Sequence, residues 1–104
     1  MQENGRVIFL GKIRRGIGAR SGNEWVSQDF VIETNERYPR KLHYTMFGEQ
    51  YISNVNLREG EVIDVIGFAE SHEYNGNWYT ELRCTDILTN GRSRFTQQSI
   101  PFPS

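Results

Sequence analysis

Hydrophobic and polar positions alternate through most of this chain, the pattern of half-buried strands. The clearest run is 40–47: Leu42, Tyr44 and Met46 share one face, and Lys41, His43, Thr45 and Phe47 share the other. Before it, 25–34 reads as a strand with Val26, Phe30 and Ile32 at even positions. A first strand covers 7–17, interrupted by Gly11 and Gly16 and followed by Gly18, as bends or bulges would require. Turns fall at 20–23 and 35–39. Gly48 breaks the alternation, and Tyr51, Ile52 and Val55 follow at helical spacing, predicting a short helix over 49–56. After a turn at 58–61, a long fourth strand runs 62–74 with a bend at Gly67, and a fifth runs 78–88. Asn75-Gly76 joins these last two; both residues tolerate positive φ, as a type I′ hairpin turn requires.

Three strands, a short helix and two more strands describe an all-β, five-stranded OB barrel with its helix between the third and fourth strands. In that fold the second and third strands and the hairpin loops form the ligand groove. The expected domain is 1–88. From Thr89 onward periodicity stops and Gly, Ser, Arg, Gln and Pro dominate, so 89–104 is expected to be a flexible tail.

With 104 residues, one modest core is the default. Basic and acidic residues nearly cancel, to a net charge of −1, so nucleic-acid binding would need a local basic patch. Cys84 is alone, which rules out an intrachain disulfide and suits a reducing compartment. No apolar run approaches the length of a membrane span, and the start lacks a signal-peptide pattern. A cytoplasmic protein is expected, cellular or phage-encoded.

The run Leu42-His43-Tyr44-Thr45-Met46-Phe47-Gly48-Glu49, then Leu57 to Phe68, resembles the single-stranded DNA-binding protein family of bacteria and phages. It matches that family's strand ending in Phe-Gly, its helix and its next strand, and the likeness continues over 70–82. A set of short uncharacterised relatives is closer still, sharing Glu24-Trp25 and Phe30 to Thr34. The resemblance implies an OB domain that stacks bases on Phe47 and Tyr74. The family's third-strand tryptophan falls near Lys41, a departure. Ile100-Pro101-Phe102 resembles the family's partner-docking tip, which would imply replication proteins as partners. Here, however, no acidic residue follows Asp86 and two residues follow Phe102.

Single strands are bound by stacking, worth roughly 1–3 kcal/mol per base, and by phosphate neutralisation. Phe47 and Tyr74 are expected to stack bases. Trp25 and Trp78 divide evenly between stacking and packing, with Trp25 expected beside Phe47 and Trp78 beside Tyr74 as two platforms. Tyr79 and Tyr38 are assigned to packing. Arg14, Arg15, Arg20, Arg37, Arg40, Lys41 and His43 are the candidate phosphate contacts; each is equally well read as solubilising charge, and Glu33 is placed to pair with Lys41. Asp29 and Glu33, expected on the same face, oppose phosphate. The first strand is apolar on both faces, so Ile8, Leu10, Ile66 and Phe68 are expected to form an association patch in a dimer or tetramer.

His43 and His72 stand apart from any second metal ligand, and no nucleophile motif or phosphate loop is present. Cys84 alternates with Leu82 and Thr80 and reads as a buried thiol. The sequence therefore indicates a non-enzymatic domain without cofactor or metal that coats single-stranded DNA in replication, recombination or repair. The alternatives are an assembly module without nucleic acid, or an RNA binder.

Overall fold

The structure, a computed structural model, describes residues 1–95. Its elements are β1 (Gln2–Leu10), β2 (Arg14–Ile17), β3 (Glu24–Thr34), β4 (Lys41–Phe47), α1 (Glu49–Val55), β5 (Val62–Tyr74), β6 (Asn77–Thr89) and β7 (Arg92–Ser93). Five strands close a ring in the order β1-β5-β6-β4-β3, with β1 pairing back onto β3. This is the expected OB-type barrel, with its helix between β4 and β5.

Alternation sets the inside. Val7, Phe30, Ile32, Tyr44, Met46, Ile63, Val65 and Ile87 point inward and are almost wholly buried. The helix contributes Ile52 and Val55 to the same core. It begins where the Gly48 N–H donates to the Val26 carbonyl at 2.9 Å, so the chain turns off β4 onto the barrel end. Gly48 has φ 106, a conformation that disfavours a side chain.

Curvature comes from two irregularities. One residue, Ile8, is extra in the β1–β3 pairing, and Thr85 is extra in the β5–β6 pairing. Opposite Thr85, a Cβ on Gly67 would lie 2.2 Å from the Arg83 carbonyl oxygen, so only glycine permits this approach. The hairpin turn has Asn75 at φ 52 and Gly76 at φ 82, as Asn-Gly predicts.

Two features depart from the sequence reading. The expected first strand is two strands, split at residues 11–13. There the Gly11 carbonyl accepts from the buried Gln28 side chain at 2.9 Å, and β2 then pairs only with β3. At the other end, order continues past Leu88. β7 pairs with the end of β6, Phe95 is buried, and its ring stacks on Tyr51 at 4.9 Å. Arg94 binds this segment to Glu61 at 2.7 Å and to the Val55 carbonyl. The expected tail thus contributes seven residues, 89–95, to the packed structure. The Ile100-Pro101-Phe102 motif lies outside the described residues.

Candidate nucleic-acid interface

The outward face of β3 and β4 follows from their register. Ser27 lies opposite Phe47, Asp29 opposite Thr45, Val31 opposite His43 and Glu33 opposite Lys41. Trp25 is two residues further along β3 on the same side, so Trp25 and Phe47 are neighbours, as expected. They are 41% and 38% exposed, which leaves each ring half open to a flat ligand. Gly16 of β2 pairs with Trp25, and a Cβ there would fall 2.4 Å from the indole. The indole therefore lies across Gly16, and glycine makes its seat.

The parallel pairing of β4 with β6 adds a residue that sequence reading missed. Arg83 lies beside Thr45, and its guanidinium carbon is 4.6 Å from the centre of the Phe47 ring. A cavity of about 350 Å³ is lined by Arg14, Trp25, Ser27, Phe47, Glu81 and Arg83. A second, also about 350 Å³, is lined by Arg14, Asp29, Lys41, His43, Thr45 and Glu81, among others. The strand over 78–88, with Thr80, Leu82 and Cys84 alternating, was legible. That β6 would lie beside β4 was not, because it depends on ring closure between distant segments.

Asp29 is the hub of this face. Its carboxylate meets Arg14 at 3.0 Å and His43 Nε2 at 3.1 Å, and accepts from the Thr45 hydroxyl at 3.2 Å. Glu33 and Lys41 sit opposite each other as expected, but no ion pair joins them among the described residues. Arg14, Lys41 and His43 thus line one face with Trp25 and Phe47, while Asp29, Glu33 and Glu81 share it.

Other expected cations lie elsewhere. Arg15 pairs with the buried Val26 and so faces away from Trp25; it reaches Glu49 at 2.9 Å. The hydrogen bond between them raises the Arg15 pKa and lowers that of Glu49. Arg40 bridges Glu36 and Glu3, at 2.6 and 3.0 Å, near the opposite end of β4 from Phe47. The hydrogen bond from Arg40 holds Glu36 below the usual carboxylate range. Arg37 lies over the Tyr38 ring at 5.6 Å in the same region. Arg20 is exposed in the turn before β3.

Tyr74 and Trp78 are the most exposed rings of the hairpin, but they do not form one platform. Tyr74 pairs with Asn77 and Trp78 with Glu73, so their side chains leave opposite faces of the ribbon. Tyr79, assigned to packing, is half exposed on the Tyr74 face, 6.3 Å from the His72 ring.

The expected association patch is not assembled either. Leu10 packs against the core. Ile8 lies two residues beyond Arg6, which pairs with Val62, whereas Ile66 pairs with Gln2. That separates Ile8 from Ile66 by about 20 Å along the strands.

Cys84 is buried, and burial pushes its thiol up to about 12, so it stays protonated. Among the described residues, no group of three or more His, Cys, Asp or Glu side chains is placed to hold a metal ion. No helix among them is long and apolar enough to cross a membrane.

Comparison with solved structures gives a match to a mitochondrial single-stranded DNA-binding protein from S. cerevisiae, Rim1. The TM-score is 0.63 at 19% identity, over 88% of this chain and 94% of that one. At that identity the likeness speaks to the fold. No curated protein matches the chain. A sequence family does match, over residues 4–87, from β1 to near the end of β6. The chain therefore belongs to the family described as a domain of unknown function, DUF3127.

Proposed function

We propose that this domain binds single-stranded DNA without sequence preference on the outward face of β3 and β4. One observation carries the reading: two half-exposed rings, Trp25 and Phe47, flank a cavity that Arg14 and Arg83 also line. Rings supply stacking to any base, and cations beside them meet the phosphates. The fold's likeness to a mitochondrial single-stranded DNA-binding protein supports the same reading. Titration with oligo-dT tests it. Trp25 fluorescence, isolated in a Trp78→Phe background, is expected to be quenched, and affinity to fall with added salt. Retention of signal at saturating oligo-dT would reject the reading, and competition with oligo-U separates DNA from RNA.

A second reading, an assembly module without nucleic acid, is favoured by Asp29, which already engages Arg14 and His43. It predicts self-association without oligo-dT binding, so mass in solution with and without the oligonucleotide discriminates. Partner docking through residues 99–104 belongs to the first reading, and deletion of those residues tests it separately.

A further inference from the structure

Phe47 and Arg83 line two cavities at once. One is shared with Trp25. The other, of about 440 Å³, is bounded also by Tyr51, Phe68, Cys84 and Phe95. Phe68 lies directly opposite Arg83 in the β5–β6 register and is 47% exposed. The outward side chains therefore run Trp25, Phe47, Arg83, Phe68 across β3, β4, β6 and β5, a row about 15 Å wide at ordinary strand spacing.

Two carboxylates bear on which way a strand leaves Phe47. Glu70 and Glu81 sit directly opposite one another on this face, just beyond the Phe68–Arg83 pair and before Tyr79 and Tyr74. Like charges directly opposite repel. Glu70 meets the Arg83 guanidinium at 3.4 Å, and Glu81 lies 3.5 Å from His72 Nε2. A polyanion running out to Tyr74 must cross this pair. One turning past Arg83 to Phe68 meets Glu81 only where it borders the Trp25 cavity and does not pass between the two carboxylates. The carboxylate bordering the Phe68 cavity, Asp86, is already accepting from the Ile87 N–H at 2.8 Å and the Ser93 hydroxyl at 2.7 Å.

We infer that the Phe68 cavity is a second nucleobase subsite, and that the strand passes from Trp25 over Phe47 and Arg83 to Phe68 instead of along the hairpin to Tyr74. This rests on the single-strand-binding reading above. Arg83, between the two rings, is the cation that serves both subsites. Binding of labelled oligo-dT, followed by anisotropy, tests the path in wild type, Phe47→Ala, Phe68→Ala, Phe68→Tyr and Tyr74→Ala. Phe68→Ala is expected to weaken binding about tenfold, within the range of one lost stack. Phe68→Tyr should bind as wild type, and Tyr74→Ala should stay within twofold. An unchanged thermal midpoint in Phe68→Ala would confirm that the loss is one of contact. If Phe47→Ala weakens binding while Phe68→Ala does not, or Tyr74→Ala has the larger effect, the path is wrong and the proposed function stands. If wild type fails to bind oligo-dT, both fall. A lower mass in solution for Phe68→Ala, with affinity intact, would make Phe68 a contact between copies and overturn the subsite.

Discussion

Three side chains converge on the Asp29 carboxylate: Arg14 on β2 and Thr45 on β4 donate to it, and His43 Nε2 on β4 lies 3.1 Å away. A phosphate presented to this face would compete with that carboxylate for Arg14 and Thr45. Asp29→Asn keeps the shape and removes the competitor, so oligo-dT binding is expected to tighten about three- to tenfold. Stability should change by no more than about 1 kcal/mol, because the Arg14–Asp29 pair is partly exposed. Weaker binding in Asp29→Asn would instead mean that Asp29 holds Arg14 in its productive position. Two glycines separate packing from binding in the same way. A Cβ at Gly67 meets backbone at 2.2 Å, which the barrel cannot yield, so Gly67→Ala should unfold the domain or lower its thermal midpoint sharply. A Cβ at Gly16 meets the far end of the Trp25 side chain at 2.4 Å. The indole can swing away, so Gly16→Ala should fold, shift the tryptophan emission and weaken oligo-dT binding.

At the scale of elements, the C-terminal segment is tied to the barrel through Glu61. Its carboxylate accepts from Arg94 and from the Arg58 N–H, each at 2.7 Å. Burial works to raise the Glu61 pKa, but these two hydrogen bonds outweigh it and leave it below the ordinary value. The unfolded chain thus holds a proton on Glu61 at pH values where the folded one does not. Stability from this group is present above the ordinary carboxylate range and is lost as pH falls through the folded value. Glu61→Gln should cost about 1–2 kcal/mol at pH 7 in urea unfolding, and the difference should shrink as pH falls through the folded value. A constant difference across that range would assign the loss to packing. The same segment shows where sequence reading stops. Alternation and Asn75-Gly76 made β3, β4 and the β5–β6 hairpin legible, because both signals are local. Arg92 to Phe95 has no alternation; besides its short pairing with β6, it is held by one ring on Tyr51 and one guanidinium on Glu61, contacts made across the fold. Parity likewise placed Trp25, Lys41, His43 and Phe47 together. It could not place Arg83 over Phe47, since that depends on β6 lying beside β4. That Trp78 and Tyr74 face apart does follow from the two-residue Asn75-Gly76 turn, which sets Tyr74 opposite Asn77, so the single platform was a misreading of a legible signal.

The whole molecule carries 12 basic and 13 acidic residues, so no general attraction draws a polyanion to it. Binding must draw on the few cations that face the rings. Arg15 and Arg40 are engaged by carboxylates away from that face, and Arg94 is held by Glu61. Arg14 and Arg83 remain beside Trp25 and Phe47, with Lys41 on the same face at the other end of β4. Neutralising two or three phosphates of a single strand gives a log–log salt slope of about −1.4 to −2.1. Most of the affinity would then come from stacking, which salt hardly screens, and duplex DNA, whose bases are already stacked on one another, should compete poorly. The measurement is oligo-dT affinity across a salt series, with duplex of equal length as competitor. A slope steeper than about −4 would require more phosphate contacts than this face offers. The strand would then have to reach Arg20 or Arg37, or cross onto a second copy of the chain, and a binding stoichiometry taken at the same salt values would tell those two apart.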